Sequence, residues 1–326
     1  MTAPLLSIQD LSVQFCGSRS VNALNQLSFE LGSGEVLGLL GESGSGKSVT
    51  LRTLLRLHAA RTTRIQGQIR VAGQDVMALQ GQALELYRGG TVSMVFQESG
   101  MAFDPVYSIG QQITEVIRAH AAIASAGARQ QALQMLERVQ IPQARRRFDA
   151  YPHELSGGMR QRAMIALALA CKPKLLLADE PTTALDASVQ IQILLLLREL
   201  QRETGMAMIF VTHDIGAAVE VADRIAVMYA GRVVEQGPVA QIVQQPRHPY
   251  TAGLLASSVG AEHRGRPLRA IPGAPPDLAA LPSGCAFAPR CDQASDGCHR
   301  ERPELRLQGA QSLACWQPLL PFPETT

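Results

Sequence analysis

This chain predicts an α/β fold with an inserted helical subdomain and an irregular C-terminal extension, on three observations. Strand-like and helix-like segments alternate from about residue 5 to about residue 237. A glycine-rich segment, Gly41-Glu42-Ser43-Gly44-Ser45-Gly46-Lys47-Ser48, follows an apolar run, Val36-Leu37-Gly38-Leu39-Leu40, that reads as a buried strand. From Pro238 onward the composition shifts, with 13 of the 19 prolines there, so an irregular extension is expected rather than more sheet.

In order, Ser7 to Phe15 and Leu24 to Leu31 read as strands, with turns at Asn22 and Gly32-Ser33-Gly34. Ile65 to Val71 and Val92 to Phe96 read likewise. Between about Ile109 and Leu155 the period becomes helical, with Ile113, Val116, Ile117 and then Ala132, Met135, Leu136 three or four apart. This places a helical subdomain at about 104–170. Strands resume at Leu175-Leu176-Leu177-Ala178 and Met208-Ile209-Phe210-Val211, the second followed by Thr212-His213-Asp214. The expected division is a domain over 1–237 and an extension over 238–326.

A chain of 326 residues with 46% hydrophobic content can bury one large core and carry an appendage. The net charge of +2 gives no reason to expect a nucleic-acid partner, and Arg145-Arg146-Arg147 reads as a solvated face. Met1 to Asp10 lacks a basic start followed by an apolar block, and no apolar stretch reaches membrane-spanning length; Ile191 to Leu197 is soon followed by Arg198 and Glu199. The expected location is therefore cytoplasmic, with any membrane role exercised through a partner.

The segment Gly41 to Ser48 is a complete phosphate-binding loop, and its position after a strand and before a helix points to a nucleoside triphosphate. Its glycines let successive N–H groups turn toward phosphates, Lys47 adds a point charge, and Ser48 adds a hydroxyl ligand for Mg²⁺. Gly41, Ser43, Gly44, Ser45, Gly46, Lys47, Ser48 and Thr50 are the candidate ATP-binding residues. Asp179 and Glu180 close an all-apolar strand, where uncompensated charge is costly. Asp179 is suited to holding Mg²⁺, and Glu180 to polarising the attacking water.

Further motifs stand in a fixed order around these. Leu155-Ser156-Gly157-Gly158-Met159 resembles the signature of ATP-binding-cassette (ABC) ATPases, and Leu175 to Pro181 resembles their magnesium-and-base strand. Gln97 stands where their glutamine loop falls, Thr182-Thr183-Ala184-Leu185-Asp186 resembles their dimer-facing aspartate loop, and His213 resembles their switch histidine. The resemblance covers roughly the first three quarters of the chain. It implies an ABC-type core and ATP hydrolysis, with Glu180, His213 and Gln97 catalytic and with Ser48, Gln97 and Asp179 about Mg²⁺. It also implies that Ser156, Gly157 and Gly158 serve the ATP of a partner subunit, that Asp186 lies at the dimer loop, and that Phe15 stacks on adenine.

The extension resembles a narrower group. Gln245-Pro246-Arg247-His248-Pro249-Tyr250-Thr251-Ala252-Gly253-Leu254-Leu255 is similar to the element opening the C-terminal region of oligopeptide, dipeptide and nickel importer ATPases. Asp104 departs from the asparagine common in the stretch Asp104 to Gly110, which puts a role for that amide in doubt. The resemblance implies a subunit energising import of peptides, or of a related small solute such as nickel, at the cytoplasmic face of the inner membrane. Its implied partners are a second ABC ATPase subunit, like or unlike, two transmembrane permease subunits and an extracytoplasmic solute-binding protein. An exporter ATPase and a soluble cassette protein are the alternatives.

Cys285, Cys291, Cys298 and Cys315 are separated by five, six and sixteen residues. A cytoplasmic chain should not hold structural disulfides, so four clustered thiols point to a metal site. The arrangement resembles one that binds a 4Fe-4S cluster in several peptide-importer ATPases; zinc and free thiols remain open alternatives. His299 is a weaker candidate ligand, and Cys16 and Cys171 read as ordinary thiols. Because the tail is distant in sequence from the phosphate loop, losing Cys291 or Cys298 is expected to leave nucleotide binding intact.

Overall fold

A computed structural model describes residues 3–183, 185–257 and 270–319. Ala184 of the expected dimer loop, and the stretches 258–269 and 320–326 of the expected extension, lie outside the described residues. In chain order the elements begin β1 (Leu6–Phe15), β2 (Val21–Leu31), β3 (Val36–Leu40), α1 (Lys47–Leu54), β4 (Thr63–Val71), β5 (Gln74–Asp75), α2 (Gly81–Gly90) and β6 (Val92–Val95). Then come α3 (Ile109–His120), α4 (Ser125–Arg138), α5 (Ala144–Arg147), α6 (Gly157–Leu169), β7 (Leu175–Asp179), α7 (Ala187–Thr204), β8 (Ala207–Val211), α8 (Ile215–Val221) and β9 (Arg224–Tyr229). The chain closes with β10 (Arg232–Pro238), α9 (Val239–Gln244), α10 (Pro249–Ser257), α11 (Asp296–Arg300), β11 (Arg306–Gln308) and β12 (Gln311–Leu313).

Two compact units result. One comprises Gly32–Glu35 and Ala78–Val211; the other comprises Thr2–Leu31, Val36–Met77 and Thr212–Thr326. In the first, β6, β7 and β8 pair in parallel, with Val92 opposite Leu175 and Leu175 opposite Ala207. Every residue of β7 and β8 is buried, which is why both read as unbroken apolar runs. Helix α3 starts with a reciprocal cap between Ser108 and Gln111 and buries Ile109, Ile113 and Ile117. Helix α4 buries Ala128, Ala132, Met135 and Leu136, the same three-to-four stripe.

In the second unit, β2, β1, β4 and β5 form an antiparallel sheet. Strand β3 pairs in parallel with β9, which pairs antiparallel with β10. The expectation that sheet ends before the extension is corrected here: β12 pairs with β10, Glu235 opposite Leu313, and β11 pairs with β12. Left alone, β10 would expose a row of unpaired backbone groups. Three-residue strands are too short to show a period, so the sequence hides them. The extension also supplies core. Tyr250 and Phe287 pack with Leu40, Ile215, Val227 and Tyr229 in one buried cluster. Among the described residues, no helix is long and apolar enough to cross a membrane.

Candidate active site: a phosphate loop and a carboxylate-bearing strand end

The phosphate loop belongs to the second unit. All five residues of β3 are buried, and the loop leaves its end to enter α1. At the turn into the helix Gly46 has φ 103°, and a Cβ there would lie 2.9 Å from the Ala23 carbonyl oxygen and 2.8 Å from Leu24 Cδ2. Only glycine meets both demands. Gly46 caps α1 with no side-chain hydrogen bond, so no side chain competes for the first-turn N–H groups, a geometry suited to anions.

Lys47 is 6% exposed, and its Nζ donates to the carbonyl oxygens of Gly41 at 2.8 Å and Glu42 at 3.0 Å. Ser48 is half-buried beside it, while Ser43 and Gly44 are exposed. Thr50 is fully buried and its Oγ1 donates to the Gly46 carbonyl at 3.0 Å, so this hydroxyl braces the loop from inside its helix. Phe15, the last residue of β1, is half-buried with its ring edge-on to His58 at 5.3 Å. The exposed His213 follows Thr212, whose N–H donates to the Leu39 carbonyl at 3.3 Å. Asp214 then caps α8 through the Ala217 N–H.

The carboxylate pair belongs to the first unit. Asp179 ends β7 and is 2% exposed. Glu180 follows with φ 45°, a left-handed conformation that strains a residue with a Cβ. Its N–H donates to the Val211 carbonyl at 3.0 Å, which holds the strained residue at the strand end. Two neighbours converge on Glu180 Oε2: Gln97 Nε2 at 3.3 Å and Thr183 Oγ1 at 2.9 Å. The sequence placed Gln97 and Glu180 at the chemistry but Thr183 only within the segment resembling a dimer-facing loop; its bond to Glu180 shows only in the geometry.

Ser156 is exposed and caps α6, its Oγ accepting from the Met159 N–H at 3.3 Å, with Gly157 and Gly158 in the first turn. A Cβ on Gly158 would lie 2.9 Å from Val189 Cγ1, so this glycine also permits α6 and α7 to approach. Exposed Asp186 caps α7, accepting from the Val189 N–H at 3.0 Å and from Ser188 Oγ at 2.7 Å; the Ser188 bond and then the Val189 bond hold its carboxyl below the usual range. Asp104 Oδ1 accepts from the Val106 N–H at 3.0 Å. That bond uses an acceptor oxygen asparagine shares, so the change of residue leaves the turn intact. Arg145 and Arg146 are exposed, as a solvated face requires.

In the extension, Glu235 of β10 is fully buried and accepts from the N–H groups of Arg247 at 2.8 Å and His248 at 3.0 Å. Burial pushes its carboxyl up and those bonds pull it back. His248 Nδ1 accepts from the Tyr250 N–H at 3.0 Å, and burial lowers the imidazole to about 3, so the ring is neutral. Tyr250 Oη in turn accepts from the Glu42 N–H at 2.8 Å. Arg290, beside Cys291, forms a bidentate ion pair with Glu42, at 2.7 and 3.0 Å. The cysteine-bearing tail, distant from the phosphate loop in sequence, thus reaches it in space through Arg290.

Of the four tail cysteines, two are joined through the backbone. The Cys285 N–H donates to the Cys298 carbonyl at 2.7 Å, and burial, helped by the other thiols' charge, raises Cys285, Cys291 and Cys315, the last to about 12. The donor types suit a soft metal. Among the described residues, however, no three His, Cys, Asp or Glu side chains are grouped to hold a metal ion, and His299 is exposed. The structure does not support the iron–sulfur or zinc site expected from the sequence. Cys16 and Cys171 are half-buried free thiols.

Comparison with known proteins identifies the family and the fold. The profile of the ABC transporter family matches residues 24–183, and that of the oligopeptide/dipeptide transporter C-terminal region matches residues 234–298. A Brucella melitensis protein provisionally named a peptide import ATP-binding protein is 49% identical, the match covering 93% of each chain. A Brucella abortus protein of like name is 47% identical over 99% of this chain and 97% of its own. Among solved structures, a post-hydrolysis dimer of an ATP-binding cassette bound to ADP and Pi is 27% identical with a TM-score of 0.64, covering 72% of this chain and 98% of that one. Clostridium perfringens cbiO1, part of the ABC transporter complex cbiONQ, is 26% identical with a TM-score of 0.64, covering 75% and 92%.

Proposed function

This chain belongs to the ATP-binding subunits of ABC transporters, in the group that carries the oligopeptide/dipeptide transporter C-terminal region, and from that premise we propose that it hydrolyses ATP to energise import of peptides. The observation that carries the catalytic part is the strained Glu180, held by Gln97 and Thr183 directly after the buried Asp179. The importer part rests on the matched C-terminal region and on the relatives' names. Nickel is a second candidate solute.

In this reading the N–H groups of the loop from Gly41 to Ser48, with Ser43, Gly44, Ser45 and Gly46, bind the phosphates, Lys47 neutralises their charge, and Phe15 stacks on the base. Ser48 and Asp179 hold Mg²⁺, with Gln97 as a further ligand; when bound, the ion screens the charge developing on the phosphates. A buried carboxylate at the end of an apolar strand and a hydroxyl in the loop suit that hard cation. Glu180 orients and polarises the attacking water, and His213 contacts the γ-phosphate. Ser156, Gly157 and Gly158 serve the nucleotide of a second ATPase subunit, and Asp186 lies at the loop facing it. A domain over 1–237, with its helical subdomain at about 104–170, does this work, and the extension over 238–326 follows it. Two permease subunits and an extracytoplasmic solute-binding protein complete the importer, with this chain at the cytoplasmic face of the inner membrane. Exposed Phe96, Val106 and Tyr107, near Gln97 in sequence, favour a permease contact on the first unit.

The test is a pair of variants assayed with the partner subunits. Glu180→Gln keeps its shape and is expected to bind ATP while losing turnover by about 10²- to 10⁴-fold. Lys47→Ala is expected to weaken binding itself. Near-parental turnover by the first, or parental affinity in the second, would refute these roles; peptide uptake by vesicles carrying the assembled importer tests the solute.

Metal loading of the tail cysteines is a separate proposal, supported by the resemblance and the four thiols: a 4Fe-4S cluster, with zinc as the alternative. Metal analysis of protein purified without oxygen decides it, with about four irons per chain for the cluster and neither metal if the thiols stay free.

A further inference from the structure

Glu42, the second residue of the phosphate loop, is held on three sides. Its carbonyl accepts from Lys47 Nζ at 3.0 Å, so the position of this peptide helps fix the ammonium. Its N–H donates to Tyr250 Oη at 2.8 Å. Its carboxylate takes both Arg290 bonds, Nη1 to Oε2 at 2.7 Å and Nη2 to Oε1 at 3.0 Å. The last two come from the extension.

Both anchors are themselves immobilised. The Arg290 side chain is 5% exposed, its Nε donates to the Pro272 carbonyl at 2.8 Å, and its Nη1 also reaches Tyr229 Oη at 3.3 Å. The rings of Tyr229 and Phe287 lie 5.9 and 5.8 Å from the guanidinium. Tyr250 is fully buried, with ring centroids 4.5 Å from Tyr229 and 5.3 Å from Phe287, and its N–H is tied to His248, which Glu235 holds in turn. A planar guanidinium locked this way presents two donors at fixed spacing, which a flexible surface lysine does not. The extension touches the β1–β2 connection as well: Arg19 pairs with Asp277, and the Asn22 N–H, at the start of β2, donates to the Leu278 carbonyl at 3.2 Å. Pro275, Pro276 and Leu278 line a small cavity with Glu42, Ser43, Gly44 and Ser45.

We propose that Tyr250 and Arg290 are positioning residues for ATP binding: by clamping the peptide and carboxylate of Glu42 they hold the phosphate loop and Lys47 in register, so that the extension sets nucleotide affinity. This rests on the phosphate-loop reading above. Without Arg290 the half-buried Glu42 carboxylate loses its partner and must turn toward solvent, carrying the peptide that orients Lys47. Without the Tyr250 hydroxyl, the Glu42 N–H loses its acceptor while the ring still fills its place.

The experiment measures ATP affinity and thermal stability of the full-length chain. Arg290→Met, which removes a bidentate ion pair, is expected to weaken ATP binding by about tenfold, and Tyr250→Phe, which removes one neutral hydrogen bond, by about threefold. Arg290→Lys should fall between parent and Arg290→Met. Adding Glu42→Gln to Arg290→Met should restore part of the loss, because it removes the unpaired charge, a non-additivity that contact through another route would not give. In turnover with partner subunits, the loss should appear in KM and little in kcat. A tail contact that merely anchors the extension would lower the melting temperature and leave affinity untouched. Parental affinity in folded Arg290→Met and Tyr250→Phe overturns the clamp. If Arg290→Met fails to fold, Tyr250→Phe, which loses a single oxygen, still decides. Lys47→Ala separates the two readings: should it bind ATP like the parent, the phosphate-loop reading itself has failed.

Discussion

Gln97 and Glu180 are joined side chain to side chain at 3.3 Å, and Thr183 Oγ1 reaches the same Glu180 oxygen at 2.9 Å. The carboxylate is therefore oriented by neighbours as well as by its strained backbone. Thr183→Val, nearly equal in volume, should lower turnover by about three- to tenfold, the worth of one hydrogen bond, with ATP affinity unchanged. Single-turnover hydrolysis measures it, and parental turnover would deny Thr183 its orienting part.

The extension makes stability depend on pH. His248 has a pKa depressed to about 3 by burial, so it is neutral in the fold and takes up a proton only on unfolding. Below its ordinary value the unfolded chain binds more protons, and stability falls as pH falls. The loss amounts to about 2 kcal/mol between about pH 7 and pH 5. Glu235, pushed up by burial, acts with the opposite sign: its contribution is present at low pH and is lost as pH rises through its raised value. His248→Asn keeps an acceptor for the Tyr250 N–H and removes the titration. Its melting temperature should vary less between those pH values than the parent's.

Val106 and Tyr107 are 67% and 52% exposed, apolar surface that binds nothing else in this chain's described structure strongly enough to cover it. Val106→Asp or Tyr107→Asp should reduce peptide uptake by about tenfold, the effect expected of a central interface residue. ATP affinity of the isolated subunit should not change. Equal uptake by vesicles carrying these variants would move the permease contact elsewhere.

Asp186 has an immediate local task at the start of α7, accepting from the Val189 N–H and Ser188 Oγ. Asp186→Asn preserves the cap and should leave the melting temperature unchanged, whereas Asp186→Ala should lower it. If the residue also serves the dimer, Asp186→Asn will still impair ATP-dependent dimerisation, read by sedimentation or light scattering.

The motifs legible in the sequence were those whose chemistry needs contiguous residues: Gly41 to Ser48, Leu155 to Met159, and Asp179 with Glu180. The helical subdomain was legible because Ile113, Ile117, Ala132 and Leu136 keep one period and are all buried. What was not legible depends on residues that meet only after folding. Arg290 and Glu42 stand 248 positions apart, and a lone arginine has no periodic context to betray a partner. The left-handed backbone of Glu180 has no glycine or asparagine to announce it. Strands β11 and β12 are too short for a pattern, and they form because β10 has an edge to cover.

That edge carries a consequence for biosynthesis. The loop from Gly41 to Ser48 leaves the ribosome long before the partners that brace it, Tyr250 and Arg290, and β10 leaves it before the strand that closes its edge, Gln311–Leu313. From the emergence of β10 until Gln311–Leu313 follows it, nascent chains hold an uncovered strand edge, the kind of surface that pairs with neighbouring chains. Premature termination before residue 311 should thus give a product that aggregates, and the cell's supply of active subunit depends on translation reaching β12.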